Sequence, residues 1–85
     1  MKDQIRAVVR DHARLAVPVE SLGDAADLYE AGMTSHASVG VMVALEEAFG
    51  VEFPDRLLRR RTFESVDAIH AAVTELAGAA GGVGA

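Results

Sequence analysis

Apolar side chains recur at every third or fourth position over three stretches of the chain, and this spacing predicts three helices. In the first, from Lys2 to Leu15, Ile5, Val8, His12 and Leu15 share a face, while Arg6, Arg10, Asp11 and Arg14 fall on the others. The second, Ser35 to Phe49, contains no proline and repeats an apolar residue every fourth position at Val41, Leu45 and Phe49, with Met42 alongside. That stripe is expected to face the core. A second ridge, Ser35, Val39 and Val43, lies roughly 80–100° around the helix and is expected to face outward. The third helix runs to Leu76, with Ser65 as its N-cap and Val66, Ile69, Val73 and Leu76 inward.

The breaks between these stretches are equally specific. Val17-Pro18-Val19 ends the first helix, because a residue before proline is pushed toward extended geometry. A long loop follows, with Gly23, Gly32 and several Asp, through which Leu22, Leu28 and Tyr29 recur as tacks onto a core. Gly50 suits a helix C-cap, and Val51 to Phe53 run extended into Pro54. Asp55 to Arg61 predicts a short helical turn with Leu57 and Leu58 inward and Arg56, Arg59, Arg60 and Arg61 solvated. From Gly78 to Ala85 only Gly, Ala and one Val occur, too little side chain to offset ordering entropy, so residues 78–85 are expected to form a flexible tail. No period-two alternation suggests a sheet. The expected fold is all-α: a small bundle of three main helices, a short helix before the last, and a long loop between helices 1 and 2.

A chain of 85 residues has room for one thin core, since a domain this small buries only about 60% of its unfolded surface. It cannot readily surround a substrate with a deep, dry cleft, which argues for a molecule acted upon, with no catalytic residues of its own. The absence of cysteine excludes disulfides and thiolate metal sites, so any thiol chemistry must come from a cofactor. No apolar run approaches the ~20 residues of a membrane span, and a cytoplasmic monomer is expected. The net charge of −5 argues against nucleic acid, and the run Arg59-Arg60-Arg61, with no interleaved aromatic, reads as a solvated face. Between Arg14 and Arg56 there is no Lys or Arg, and eight carboxylates from Glu20 to Asp55 form an acidic block. His12 and His70 have no partner at ligand spacing, so no metal site is expected.

An isolated Thr34-Ser35 before an apolar helix reads as a plain cap. Here it belongs to a longer series. Asp27-Leu28-Tyr29-Glu30-Ala31-Gly32-Met33-Thr34-Ser35-His36 resembles the phosphopantetheine attachment site of acyl and peptidyl carrier proteins, in which Gly, an apolar residue, usually Asp, then Ser open the second helix. The resemblance continues through Leu45-Glu46-Glu47-Ala48-Phe49-Gly50, the extended stretch into Pro54, and Thr62 to Ile69. It makes residues 1–77 a carrier domain and implies a 4′-phosphopantetheine arm, drawn from coenzyme A, on Ser35, with Thr34 and His36 flanking it. Physical chemistry suits that placement, because the open N–H groups and positive dipole end of a helix start favour a phosphodiester. The arm's thiol would hold an acyl or aminoacyl thioester.

The implied partners are a phosphopantetheinyl transferase, a ligase or synthetase that loads the thiol, and downstream transferases. Met33, Val39, Met42, Val43 and Arg59 are the residues expected to meet them. Two departures from the family pattern stand out. Thr34 occupies the place of an Asp that in the family helps position the serine and the metal-bound donor, and Ala37, Ser38, Gly40 and Val41 leave the start of helix 2 uncharged where fatty-acid carriers present carboxylates. Docking should then depend on apolar contact more than on ion pairs. That favours a specialised acyl or aminoacyl carrier over routine fatty-acid synthesis, with the cargo left open. The competing reading is an unmodified adaptor that binds partners through the Val39 and Val43 ridge. A serine hydrolase using Ser35 with His12, His36 or His70 lacks both a nucleophile-elbow pattern and an oxyanion hole.

Overall fold

The computed structural model describes the backbone of residues 1–84 and the side chains of residues 1–78. It contains three α-helices, α1 (Lys2–His12), α2 (Ser35–Phe49) and α3 (Val66–Gly84), with short 3-10 turns at Val19–Ser21, Asp55–Leu57 and Arg60–Phe63. Among the described residues there is no strand, and no helix is long and apolar enough to cross a membrane. α1 packs against both α2 and α3, and the Arg60–Phe63 turn closes the core beside α3.

The inward face of α1 is rotated from the one its spacing predicts. Ile5, Val9 and Ala13 are buried, Val8 is half-buried, and His12 is exposed. Burying an imidazole without a partner is costly, whereas Ala13 allows the chain to close tightly onto the core. The helix also ends sooner than Pro18 requires. Ala13 is its C-cap, donating its N–H to the Val9 carbonyl, and Arg14 follows in the left-handed region at φ 56°. α2 buries Val41 and Leu45 with Phe49 half-buried, as the four-residue repeat implies, and Gly50 caps it in the left-handed region at φ 63°. Val66, Ile69 and Val73 of α3 are buried, and Ser65 Oγ accepts the Ala68 N–H at 3.0 Å as a side-chain cap.

The reading of the segment after Pro54 needs correction. That segment is not one helical turn but two 3-10 turns, between which Leu58 takes φ −82° and ψ 66°. That reversal turns Leu58 outward, 47% exposed, and leaves Phe63 to fill the core, its ring 5.3 Å from that of Phe53. α3 is described over Val66–Gly84, a span that takes in most of the residues expected to form the tail. The side chains of the expected tail beyond Gly78 lie outside the described residues.

The long loop is held by its carboxylates. Arg6 donates to Asp24 Oδ1 from Nε (3.0 Å) and Nη2 (2.6 Å), and to the carbonyls of Leu22 and Val19 (2.9 and 3.1 Å). Lys2 reaches Asp67 at 2.9 Å and Asp24 at 3.5 Å. The Leu28 N–H donates to the Glu64 carbonyl at 2.7 Å and the Asp67 N–H to the Asp24 carbonyl at 2.9 Å. The loop is thereby tied to α1 on one side and to the start of α3 on the other.

The Arg6 hydrogen bonds are the main cause holding the Asp24 carboxyl below the ordinary range; the charges of Arg6 and Lys2 add to them, and desolvation opposes. Because its folded pKa lies below the unfolded value of about 3.9, its contribution is fully present above that pH. It is lost as pH falls through the folded value. Asp24→Asn should therefore destabilise the fold at neutral pH and flatten the acid limb of its stability curve. Thermal melts between about pH 2 and 6 test this, and a variant whose melting falls with acid as steeply as the wild type would contradict it.

Candidate functional site

The approach to α2 is built by a short hydrogen-bonded turn. Asp27 Oδ1 accepts the N–H groups of Tyr29 (2.8 Å) and Glu30 (3.2 Å), and Met33 N–H returns to the Leu28 carbonyl at 3.0 Å. Gly32 stands at φ 118°, and the Ala16 N–H, next to it, donates to the Ala31 carbonyl at 2.9 Å. Met33 then anchors the chain in the core. Only 2% of it is exposed, so it is not available as the partner-facing residue its place beside the motif suggested. An apolar residue between a left-handed glycine and a cap can pack inward while its neighbours stay out.

Thr34 is extended (φ −83°, ψ 165°), and its Oγ1 accepts the Ala37 N–H at 3.0 Å. That is the N-cap, so Ser35 is the first helical residue and its side chain is released from the capping task. Ser35 is exposed, and its Oγ makes no hydrogen bond among the described residues. Ser38 Oγ, one turn on, donates back to the Ser35 carbonyl at 2.6 Å. Because Thr34 takes only the Ala37 N–H, those of Ser35 and His36 remain open at the positive end of the helix dipole. An uncharged Thr thus keeps the structural half of what an Asp would do at position 34. Thr34→Ala should cost about 1 kcal/mol of stability, read as a lowered denaturation midpoint with unchanged slope; an unchanged midpoint would show that the cap contributes nothing.

Ser35 lies at the edge of a groove of about 280 Å³. Ser38, Val39 and Met42 of α2 form one wall, Leu58, Arg59, Arg60 and Phe63 the other, and Tyr29 also lines it. The Arg60 guanidinium stacks 3.9 Å above the centre of the Tyr29 ring. A hydroxyl free of other bonds, two open N–H groups and guanidinium groups across a small groove fit a phosphodiester on Ser35, and the apolar floor fits an uncharged organic arm.

Of the residues singled out in the sequence, the structure brings Ser35, Val39, Met42 and Arg59 to this groove. His36 opens instead into a separate hollow with Asp11, His12 and Arg14. Val43, 46% exposed, faces a third with Val8 and Glu47. Val39, 54% exposed, borders both the groove and the hollow of His36. Sequence reasoning missed Tyr29, Ser38, Leu58, Arg60 and Phe63 as groove residues. Ser38 was legible in principle, since Ser35, Ser38, Val39 and Met42 follow the i, i+3, i+4, i+7 stripe of one helix face. Apart from Arg59, the opposite wall was not, because it comes from a 3-10 turn and the link that precedes it.

Residues 3–77 match the family described as "Phosphopantetheine attachment site". The chain is 48% identical over 69 residues to an aminoacyl carrier protein of Agrobacterium fabrum, covering 81% of this chain and 83% of the relative. Its structure resembles a chain in the crystal structure of an engineered Bradyrhizobium japonicum glycine:[carrier protein] ligase complexed with carrier protein from Agrobacterium tumefaciens and AMP. There the TM-score is 0.85 at 46% identity, over 87% of this chain and 99% of that one. A solution structure from Agrobacterium tumefaciens matches with TM-score 0.70 at 46% identity, over 87% and 89% of the two chains. Matched over residues 3–77 and 48% identical to an aminoacyl carrier protein, the chain belongs to the phosphopantetheine-binding family of acyl and aminoacyl carrier proteins.

Proposed function

We propose that this chain carries an amino acid as a thioester on a 4′-phosphopantetheine arm attached to Ser35. The observation that carries the reading is the free, exposed hydroxyl of Ser35 at the first position of α2, with Thr34 doing the capping. The likeness to an aminoacyl carrier protein and to a chain solved with a glycine:[carrier protein] ligase supports an amino acid over a fatty acyl group. So does the first turn of α2, which carries no acidic residue.

In attachment, Ser35 Oγ bonds to the phosphorus of coenzyme A nearest the pantetheine and displaces 3′,5′-adenosine bisphosphate, its proton passing to a base of the transferase. The arm supplies a thiol that this cysteine-free chain lacks. The chain's own residues hold position: Thr34 fixes the first turn, the open N–H groups of Ser35 and His36 face the added anion, and Val39 and Val43 present apolar surface to the loading enzyme. Catalysis is supplied by a phosphopantetheinyl transferase, an ATP-using ligase and a downstream transferase, with the carrier acting as a monomer in the cytoplasm.

The direct test is intact-mass spectrometry in two steps. Coenzyme A and a broad-specificity transferase should add one phosphopantetheine; ATP, glycine and a glycine:[carrier protein] ligase should then add one glycyl group that hydroxylamine removes. Uptake of the arm without any amino acid, across a panel of such ligases, would overturn the aminoacyl assignment. Val43→Asp should slow loading on the order of tenfold, about 1.4 kcal/mol, while attachment and melting temperature stay near the wild type. Equal loading rates would remove Val43 from the docking surface.

A further inference from the structure

The groove beside Ser35 carries charge of one sign only. Its charged lining consists of Arg59 and Arg60, and no carboxylate lines it among the described residues. The Arg60 guanidinium stacks on Tyr29, itself a lining residue, and both arginines are exposed. Arg56, by contrast, is engaged with Glu75 at 3.2 Å on another face. The remaining lining is apolar or hydroxyl: Val39, Met42, Leu58 and Phe63 with Ser35 and Ser38.

A group tethered to Ser35 is delivered to the edge of this groove by its own attachment, so no separate binding event is needed to bring it there. The phosphodiester is an anion and the guanidinium pair complements it. The chain beyond the phosphate is uncharged up to its thiol, and the apolar floor accepts it. Cargo changes that balance. An aminoacyl thioester ends in an α-ammonium below its pKa of about 7.7–8.0, and an ammonium placed in a groove walled by two guanidinium groups is repelled by both.

We infer that the groove sorts the arm by the charge at its end: it shelters the arm when the terminus is a thiol or a neutral acyl group, and expels it when the terminus is an aminoacyl ammonium. Loading with an amino acid is then itself the signal that swings the thioester out toward the next enzyme, and the unloaded thiol is kept in. This rests on the proposed aminoacyl role and on attachment at Ser35. It adds a direction to the cycle that neither supplies.

The experiment compares four forms of the full chain by ¹H–¹⁵N correlation spectra at about pH 6.5, below the α-amino pKa: apo, holo, propionyl-holo and glycyl-holo. Propionyl and glycyl differ by a methyl in place of an ammonium, so size is matched and charge is not. Backbone amides of Val39, Met42, Leu58 and Phe63 should shift on going from apo to holo and stay shifted in the propionyl form. In the glycyl form they should return most of the way to their apo positions. Arg59→Gln combined with Arg60→Gln should reduce the glycyl–propionyl difference at least threefold. The wild-type comparison stands by itself if that variant does not fold. Identical propionyl and glycyl spectra, or a holo form without shifts in the groove, would overturn the inference. Failure of the mass spectra to show an arm on Ser35 would instead overturn the reading on which it depends.

Discussion

Ser35→Ala should remain folded and take up no phosphopantetheine at all. The two halves of that expectation have separate physical grounds. Ser35 is exposed, sits at the first helical position, and its Oγ holds no hydrogen bond among the described residues. Alanine is the best helix former, so the change should fall within about ±0.5 kcal/mol. The Ser35 carbonyl still accepts the Ser38 hydroxyl, because the backbone is unaltered. Neighbouring hydroxyls do not substitute for the lost one. Thr34 Oγ1 is committed to the Ala37 N–H and Ser38 Oγ to the Ser35 carbonyl. Intact mass after exposure to coenzyme A and transferase, with a thermal melt of the same sample, reads both halves. An arm appearing on the variant would move the site to Thr34 or Ser38. The same variant separates the carrier from the adaptor that the apolar ridge first suggested. An adaptor working through Val39 and Val43 would bind its partner equally well with alanine at position 35, whereas a carrier loses transfer entirely.

Most of the fold was legible because its signals are local. The α2 stripe of Val41, Leu45 and Phe49, the Gly50 cap and the Ser65 cap each depend on residues within a turn or two, and each appears where the spacing placed it. The errors fall where a distant partner decides. Val8 or Val9 could have led the inward face of α1, and only packing against α2 and α3 selects Val9 with Ala13. Leu58 looked inward by hydropathy, yet a backbone reversal between two 3-10 turns sends it out. The site divides in the same manner. Ser35 and its cap could be read from an ordered motif, but Arg60 and Tyr29 lie far apart in sequence and meet only through the folded loop. The acidic block gives a further instance. Asp24 and Asp27 hold the loop, and Glu46 accepts the Phe53 N–H at 2.8 Å, so part of what read as surface charge is structural.

Gly32→Ala should be the most damaging single-methyl change near the site. Gly32 has φ 118°, a conformation essentially reserved for glycine, and a Cβ built there would stand 2.8 Å from the Ala16 backbone nitrogen and 3.2 Å from the Ala16 Cβ. Relief requires moving main chain, not the end of a flexible side chain. The same movement strains the hydrogen bond from Ala16 N–H to the Ala31 carbonyl. Backbone strain of about 1–3 kcal/mol and a weakened bond worth about 1 kcal/mol together take a large share of the about 5–15 kcal/mol that such domains possess. The melting temperature should fall by at least about 10 °C. Two other glycines calibrate the result. Gly50, at φ 63° with open space for a Cβ, should tolerate alanine at a smaller cost, and Gly40, mid-helix with nothing within 4 Å of the added carbon, should gain about 1 kcal/mol. Because Gly32 sets the direction of the chain two residues before Thr34, transfer to Ser35 should also slow at temperatures well below the melt. A Gly32→Ala protein that melts with the wild type and is modified at the same rate would show that the loop can re-route around Ala16, and that the approach to α2 is not fixed by that contact.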